Sequence, residues 1–430
     1  MSDQNDYTAT RGYLNSLKDK GIIYGLERVR STIATLGHPE KKFPCIHVAG
    51  TNGKGSTCAM LEAIYRVNGY RTGLYTSPHL IHEGEMIQVD RHPLSEIDII
   101  LHVKKLKPIA SEISKQYPDG HPSFFEFMTL MGFMHFAESK VDLAILETGV
   151  GGRLDATNVV DPELSIITSI SLDHTELLGD TIDQITMEKA GIIKAERPVL
   201  IGKLCKESES VVRQVAQERN CTLYSVRERF PHIETLPKTN LAGSFQRWNA
   251  AVAIYATEIL NQRFPVDSTK TISTLRAIQW PGRWQTLQLA DKTLILDATH
   301  NQEGADMLKE NLESLIRKNQ IRPVIITGTT SEKRASCLMP VVGQYARELH
   351  LVTPDQPNAT PNNTLEQYLP DAYKASVVHS EIGTLFPSPE TCIAGKSGDT
   401  IVVTGSIYLV GEVLKQLRQS RNPTRQSRNQ

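Results

Sequence analysis

Short apolar runs alternate with amphipathic stretches along most of the chain. Residues 45–50, CIHVAG, form a β-rich run that ends in glycine, and residues 56–70 then show a helical pattern that closes at Asn68-Gly69. A strongly apolar helix is predicted over 123–140. Further runs of strand length recur at 71–77, 141–149, 164–170 and 197–202. Continuous apolar strands separated by helices are typical of a parallel sheet with both faces covered, so the pattern predicts a doubly wound, mostly parallel α/β sheet.

The same alternation restarts in the last third of the chain. One more helix is predicted within 240–260, and after WPGRWQ (280–285) a strand-like run at 293–299 precedes a helix over 302–317. A strand with a helix, a further strand, and a terminal strand with a helix follow. This pattern predicts a second, smaller α/β domain. We place the boundary near 286–292 and draw the domains as 1–288 and 289–430.

Composition narrows the class of protein. The 430 residues suffice for two or three domains, and the formal net charge of −1 gives no general attraction to nucleic acid or to an anionic membrane. Six cysteines are scattered without a C-x-x-C pair, which fits a reducing compartment. The polar N-terminus is neither a signal nor a transit peptide, and no apolar run is long enough for a bilayer. We expect a cytoplasmic protein with no nucleic-acid or membrane partner.

The stretch HVAGTNGKGST (47–57) lies between the first predicted strand and helix. The common phosphate-binding pattern G-x-x-x-x-G-K-[ST] would place its first glycine at Val48, but here it is Gly50. Gly55, rather than a hydroxyl residue, follows Lys54. Glycines that expose backbone N–H groups, a helix N-terminus and a lysine together favour a variant phosphate cradle. The alternative is a tight turn that happens to hold a lysine.

Three further residues are candidates for a functional site because of their positions relative to the predicted strands and helices. Glu147 ends an apolar strand, where open α/β sheets bind ligands, and its carboxylate suits a hard cation or caps a nearby helix. His174 follows the next strand, and Lys189 lies on a predicted helix. Taken alone, this histidine reads as structural and this lysine as a solvated charge.

Several motifs, in order along the chain, resemble the folylpolyglutamate synthase and dihydrofolate synthase family of the Mur ligase superfamily. The matching stretches run from about residue 22 to 415 and include GTNGKGS, YTSPHL, ETGVGGRLDATN, SLDHTELLG, MEKAGIIK, WPGR, LDATHN and VTGSIYLVGE. The resemblance implies a P-loop-type doubly wound domain followed by a smaller Rossmann-like α/β C-terminal domain.

The resemblance also implies an ATP and magnesium site. The expected nucleotide contacts are Gly50, Thr51, Asn52, Gly53, Lys54, Gly55, Ser56, Asn249, Arg283, Asp297 and His300. The expected ligands of two Mg²⁺ ions are Ser77, Glu147, His174 and Lys189, the last as a carbamate. Among these, Lys54, His174 and Lys189 are the expected catalytic residues. Arg283 lies at the junction of the predicted domains, where it would clamp phosphate charge on closure or be a linker arginine without a partner.

A pterin pocket is implied by three more segments. Its expected residues are Tyr24, Phe125, Glu126, Arg153, Leu154, Asp155 and Ala156. An aromatic ring stacks well on a flat heterocycle, although core packing also explains Phe125. The GGRLDATN version resembles members that make dihydrofolate, so the expected enzyme adds L-glutamate to dihydropteroate, to reduced folates, or to both, through an acyl phosphate.

The chain departs from the family pattern in the predicted C-terminal domain. A DKD-like element reads Glu332-Lys333-Arg334, and Asn358 stands near a position that is often arginine. These changes bear on the glutamate acceptor and chain length, not on the nucleotide residues. The alternatives are a ligase with a single substrate, a P-loop nucleotide switch, and a non-catalytic binding module. A monomer is expected.

Overall fold

The protein is described by a computed structural model over residues 2–21, 25–117 and 120–419. Its contacts divide the chain into two compact units. The first reaches Asn240 and includes Ser244–Ile278, and the second holds Leu241–Gly243 and the residues from Gln279 onward. The division therefore falls between Ile278 and Gln279, ahead of the boundary that the sequence placed after residue 288. No helix in the described ranges has the length and apolarity needed to cross a bilayer.

The first unit contains eight strands and eleven α-helices among the described residues. Its strands are β1 Cys45–Ala49, β2 Thr72–Tyr75, β3 Ile87–Val89, β4 His92–Pro93, β5 Leu143–Glu147, β6 Leu164–Ile167, β7 Val199–Ile201 and β8 Leu223–Ser225. Its helices are α1 Ser2–Ser16, α2 Glu27–Thr35, α3 Lys54–Val67, α4 Glu96–Ile113, α5 Phe124–Ser139, α6 Thr175–Leu178, α7 Ile182–Ala190, α8 Lys206–Glu218, α9 Val226–Arg229, α10 Ser244–Ile259 and α11 Ser268–Leu275.

The eight strands form one sheet in the order β4-β3-β2-β5-β1-β6-β7-β8. The strands from β2 to β8 in this order pair in parallel, and β3 is antiparallel to both of its neighbours, β2 and β4. In the central register, Val48 of β1 lies beside Glu147 of β5 and Ile166 of β6. Because parallel strands end at the same edge, the segments that follow β2, β5, β1 and β6 leave the sheet side by side.

Local sequence explains where the helices next to this edge begin. The side chain of Ser123 accepts a hydrogen bond from the backbone of Glu126, which in turn accepts from Ser123, so α5 starts with a capping box. Gly53 precedes α3 in the left-handed conformation, and that helix begins at Lys54 rather than at residue 56. The apolar face of α5 is buried against the sheet, in a core that includes Phe127, Phe133 and Leu146.

The second unit contains six strands and five α-helices among the described residues. Its elements are β9 Gln285–Gln288, β10 Thr293–Leu296, α12 Gln302–Asn319, β11 Val324–Thr327, α13 Glu332–Tyr345, β12 Glu348–Leu351, α14 Asn362–Gln367, β13 Ser376–His379, α15 Ile382–Leu385, β14 Thr400–Thr404 and α16 Ile407–Gln419. The strand order is β13-β12-β11-β14-β10-β9, and only β9 pairs antiparallel. A separate core of α12, α13 and strand residues, including Ile325 and Leu349, supports this sheet.

The predicted fold class is confirmed, with two parallel-dominated α/β units of different size. Helices α1 and α4 and the short edge strands were not predicted from the sequence. Helix α1 carries many polar residues and lacks a clear apolar stripe at its start, whereas β4 has only two residues. Edge strands such as β9, with alternating half-buried and exposed positions, lack the continuous apolar run used to find the central strands.

Candidate active site

The glycine-rich loop between β1 and α3 is held where only glycine fits. Gly50 has φ 152°, and a Cβ there would lie 2.0 Å from the hydroxyl of Thr168. Gly53 has φ 84°, and its Cβ would lie 2.4 Å from Oδ1 of Asn249. Real Cβ atoms do not approach this closely, so both glycines let the backbone pass against neighbouring elements.

Two lysines converge on this loop. Nζ of Lys54 donates to the carbonyl oxygens of Gly50 at 3.0 Å and Thr51 at 3.1 Å. Nζ of Lys189, from α7, donates to the same Gly50 oxygen at 2.9 Å. Lys189 is buried, contrary to its reading as a solvated charge. Burial, followed by the charge of Lys54, lowers the pKa of Lys189 to about 7, and nearby carboxylates oppose this shift.

The segment after β6 fixes the conformation of the loop. The hydroxyls of Thr168 and Ser169 both donate to the carbonyl of Asn52, at 2.7 and 3.2 Å. The backbone N–H of Thr51 donates to the carbonyl of Ser169 at 2.8 Å, and that of Ser171 donates to the Thr51 hydroxyl at 3.0 Å. Thr168, Ser169 and Ser171 were not predicted as site residues, although several hydroxyl residues directly after an apolar strand were a signal for them.

Helix α10 approaches the loop from another side. Gln246, which is buried, donates from Nε2 to the hydroxyl of Ser56 at 3.2 Å and accepts from Nδ2 of Asn249 at 3.0 Å. Gly55 and Ser56 are themselves buried in the first turn of α3. Asn249, expected to contact adenine, thus lies beside the loop. Gln246 was missed, although it stands one helical turn before Asn249.

Glu147 and Ser77 meet at the carboxyl edge of the sheet. The backbone N–H of Ser77 donates to Oε2 of Glu147 at 3.3 Å, and Glu147 is buried at the end of β5. His174 precedes α6 with φ 48° and ψ 40°, and its Nδ1 lies 3.9 Å from a carboxylate oxygen of Glu176. Ser77 and Glu147 thus lie at the ends of two paired strands, β2 and β5, whereas His174 follows β6 on the other side of β1.

The loop after Glu147 is organised by Asp155. Its carboxylate accepts from the backbone N–H groups of Gly149 at 2.8 Å and Val150 at 3.1 Å, and from the backbone and hydroxyl of Thr157 at 3.0 and 2.5 Å. Burial raises the pKa of Asp155, and these hydrogen bonds oppose the shift. The ring of Phe125 packs against the backbone of Gly149. Asp155 therefore shapes this loop rather than presenting a free carboxylate.

The remaining residues expected to contact the pterin differ in their exposure to solvent. Arg153 is exposed and pairs with Glu188 at 2.8 Å, and Leu154 is half-buried. Ala156 is 4% exposed and belongs to the core under α5, which makes it a packing residue. Tyr24 lies outside the described residues.

Glu126 is engaged within the protein. Its Oε1 accepts from Nη2 of Arg28 at 3.1 Å, and both side chains are buried. Its Oε2 accepts from the backbone N–H of Ser123 at 2.7 Å. This carboxylate thus joins α2 to the start of α5.

In the second unit, the WPGR turn packs against the end of β10. Asp297 accepts from the backbone N–H groups of Trp284 at 3.0 Å and Thr299 at 3.1 Å, and from the Thr299 hydroxyl at 2.5 Å. Burial raises the pKa of Asp297, and the nearby positive charge of Arg283 is among the effects that oppose this. The structure thus brings Arg283 and Asp297 together.

The residues that follow Asp297 lead directly into α12. Nδ1 of His300 lies 2.9 Å from the carbonyl oxygen of Ala298. The side chain of Asn301 accepts from the backbone N–H of Gly304 at 2.8 Å and caps the helix. The LDATHN stretch is therefore a strand-to-helix turn.

The altered Glu332-Lys333-Arg334 element forms the first turn of α13. Glu332 accepts from the hydroxyl of Tyr368 at 3.0 Å, and Arg334 donates to the hydroxyl of Thr330 at 2.6 Å. Glu332 and Arg334 therefore both form hydrogen bonds with residues of the second unit.

Comparison with known proteins agrees with this arrangement. Residues 48–234 match the Mur ligase middle domain. The dihydrofolate synthase/folylpolyglutamate synthase of Bacillus subtilis (strain 168) is 33% identical over 437 residues, covering 96% of this chain and 99% of that protein. The crystal structure of folylpolyglutamate synthase from Thermotoga maritima has a TM-score of 0.82 at 29% identity and covers 96% of this chain and 97% of its own.

A second solved structure is Escherichia coli FolC in complex with DHPP and ADP. It has a TM-score of 0.80 at 28% identity, and the match covers 94% of this chain and 97% of that one. The likeness extends over both units, and it confirms the resemblance drawn from the motifs. The chain therefore belongs to the dihydrofolate synthase/folylpolyglutamate synthase family of ligases.

Proposed function

We propose that this protein is an ATP-dependent ligase that joins L-glutamate to dihydropteroate and to reduced folates. The observation that carries the proposal is the glycine-rich loop between β1 and α3, with the ammonium of Lys54 on the Gly50 carbonyl and Glu147 on the adjacent strand. Relatives named as both dihydrofolate synthase and folylpolyglutamate synthase, and a related FolC bound to ADP and DHPP, support the same reaction.

The reaction proceeds through an activated carboxylate. The carboxylate of the first substrate attacks the γ-phosphorus of ATP, which gives an acyl phosphate and ADP. The amine of L-glutamate then attacks the acyl carbon, and phosphate leaves with the bonding electrons while the amine loses a proton. A carboxylate does not react with an amine directly at neutral pH, so the phosphate supplies the leaving group.

The loop residues act by positioning and by charge. Backbone N–H groups from Gly50 to Ser56 and the ammonium of Lys54 stabilise the phosphates as negative charge moves during transfer. Asn249 and Gln246 hold the first turn of α3 in place. In the second unit, Arg283, Asp297 and His300 contact the nucleotide.

Mg²⁺ fits the donors at the carboxyl edge of the first sheet. The described residues contain no ready group of three His, Cys, Asp or Glu ligands. Mg²⁺ commonly combines one or two carboxylates with water and substrate phosphates. Glu147 would supply such a carboxylate, with Ser77 beside it and His174 in the segment after β6. When bound, Mg²⁺ neutralises phosphate charge. Lys189, with its pKa lowered to about 7, is proposed to accept CO₂ as a carbamate because its amine is largely deprotonated just above neutral pH.

The pterin is proposed to lie beside the Asp155 loop. Phe125 packs on Gly149 at this loop, and Arg153 and Leu154 project from it. We further propose that the enzyme works as a monomer in the cytoplasm. The six cysteines, all free, support a reducing compartment.

The test measures ADP formation and product mass with L-glutamate and either dihydropteroate or tetrahydrofolate. Addition of glutamate to both substrates is expected. Addition to dihydropteroate alone would restrict the enzyme to dihydrofolate synthesis, and addition to tetrahydrofolate alone would restrict it to polyglutamylation. Lys54→Ala should abolish turnover, whereas Lys238→Ala, at an exposed loop lysine, should not. Lack of glutamate-dependent turnover with either substrate would contradict the proposal.

A further inference from the structure

The second unit holds a cavity of about 300 Å³ between α12 and the edge of its sheet. One wall is formed by Asn311, Leu315 and Lys318, which lie along one face of α12 at spacings of three and four residues. The opposite wall is formed by Trp284 and Ile295. Cavities of this size are at the lower end of those that bind small organic molecules.

Three polar groups in the cavity lack protein partners among the described residues. Asn311 is 7% exposed, yet its amide makes no hydrogen bond to another side chain or to the backbone there. The indole N–H of Trp284 and the ammonium of Lys318 are likewise without an acceptor in the described part of the chain. The amide of Asn311 and the indole of Trp284 thus face the cavity, and Lys318 is exposed beside them, so water or a bound molecule can satisfy all three groups.

The cavity is lined by hydrogen-bond donors and by apolar side chains, with no acidic residue. The indole, the ammonium and the amide together offer N–H donors, and no carboxylate is among the lining residues. Ile295 and Leu315 provide apolar contact, and Ile295 is 3% exposed at the base. Such a cavity complements a molecule with acceptor oxygens and negative charge at one end and an apolar body at the other.

The cavity is separate from the residues proposed to contact the nucleotide. Its lining includes Thr293 and Thr400, the first residues of β10 and β14. Asp297 follows the last residue of β10, at the other end of the strand. Neither Asp297 nor Arg283 lines the cavity.

We propose that this cavity is a binding site for a small organic anion, with a carboxylate or phosphate group held by Lys318, Trp284 and Asn311 and an apolar body against Ile295 and Leu315. The site does not depend on the ligase activity. The carboxylate and phosphate sources share the same acceptor chemistry, and probes of both kinds distinguish them.

The test uses the full-length protein labelled with 5-fluorotryptophan. The chain has three tryptophans, so Trp284→Phe assigns its ¹⁹F resonance. The protein is titrated with benzoate, with phenyl phosphate, and with benzamide, which has the shape of benzoate without its charge. A saturable shift of the Trp284 resonance is expected with at least one anion, and binding of benzamide should be about fivefold or more weaker.

Matched variants locate the binding. Lys318→Gln should weaken anion binding about fivefold, while Lys309→Gln, at an exposed position of the same helix outside the cavity, should leave it unchanged. Both substitutions are at exposed positions of α12, so neither is expected to prevent folding. Absence of a saturable Trp284 shift with both anions, or equal binding by the wild type and Lys318→Gln, would overturn the proposal. Saturation by phenyl phosphate alone would support it and assign the phosphate class.

Discussion

Lys54 and Lys189 donate hydrogen bonds to the same atom, the carbonyl oxygen of Gly50, at 3.0 and 2.9 Å. Lys54 is the first residue of α3 and Lys189 lies in the last turn of α7, so two cations from different elements meet at the glycine-rich loop. Like charges in a buried setting oppose each other, and this is part of the reason why the pKa of Lys189 falls to about 7. An anion at the loop would relieve this repulsion.

Lys189→Met is therefore expected to stabilise the fold and abolish ligase activity. Below pH 7 the native protein holds a buried ammonium, and its replacement by an apolar side chain should raise the free energy of unfolding by about 1–3 kcal/mol. The pKa is lower in the folded than in the unfolded protein, so the native state binds fewer protons between about pH 7 and 10.5. The gain should therefore shrink as the pH rises through this window.

Urea unfolding in buffer depleted of metal and bicarbonate measures this effect. Lys238→Met, at an exposed lysine, serves as the control and should change stability little. A destabilised Lys189→Met protein at pH 6 would mean that the hydrogen bond to Gly50 outweighs the cost of the buried charge.

Gly53→Ala should impair ATP binding more than its backbone strain alone predicts. Gly53 and Gly69 have similar φ values, 84° and 93°, but only at Gly53 would a Cβ meet another residue, Asn249 at 2.4 Å. Gly69→Ala should cost about 1 kcal/mol of stability from the left-handed conformation. Gly53→Ala should cost more and raise the KM for ATP about tenfold or more.

A double-mutant cycle tests the cause. Removing the Asn249 side chain should recover part of the stability lost in Gly53→Ala, because the clash disappears, but none of that lost in Gly69→Ala. Additive losses in the Gly53 pair would show that Asn249 is not the group displaced. Calorimetric unfolding of the wild type, the three single variants and the two double variants gives the comparison.

Sequence patterns predicted the elements whose signal is local. A continuous apolar run before Glu147 is a signal for a strand, and the glycines around Lys54 are a signal for a turn. Strands β5 and β1 and helix α3 were therefore predicted with their ends correct to within a few residues. The segment Thr168–Ser171 and Gln246 reach the loop only through the strand order and the packing of α10. Such long-range contacts leave no periodic trace in the chain. The burial of Lys189 was missed for the same reason.

Glu126→Gln is expected to lower stability while leaving the affinity for dihydropteroate nearly unchanged. Glutamine can still accept from the backbone of Ser123, so the helix cap is retained, but the buried partner of Arg28 loses its charge. Breaking such a pair from one side costs about 3 kcal/mol or more. Arg28→Met combined with Glu126→Gln should cost less than the sum of the two single changes.

Steady-state kinetics separates this packing role from substrate contact. If Glu126 binds the pterin, the KM for dihydropteroate will rise in the Glu126→Gln enzyme while the KM for ATP stays constant. Denaturation of the single and double variants, measured in the same buffer, shows whether the ion pair accounts for the loss of stability.

A buried chain of hydrogen bonds joins β1 to the Asp155 loop. Nε2 of His47 lies 2.7 Å from the hydroxyl of Thr157, which donates to Asp155 at 2.5 Å. An ionised carboxylate only accepts, so Thr157 gives its proton to Asp155 and must accept from an N–H at Nε2 of His47. Nδ1 is then unprotonated, and it is buried without a hydrogen-bond partner among the residues that the structure describes. Burial, helped by the charge of Lys194, lowers the pKa of His47 to about 3.

His47 should therefore make the fold sensitive to acid. The unfolded chain binds a proton at this histidine below its ordinary pKa near 6.5, whereas the folded protein does so only near pH 3. Stability is thus lost as the pH falls from about 6.5, by up to about 1.4 kcal/mol per pH unit from this group. In His47→Gln, whose amide can still donate to Thr157, urea unfolding from pH 7.5 to 4.5 should show a shallower decline than in the wild type. His92→Gln, at an exposed histidine, should keep the wild-type slope, and equal slopes in all three proteins would show that His47 takes up its proton in the folded state.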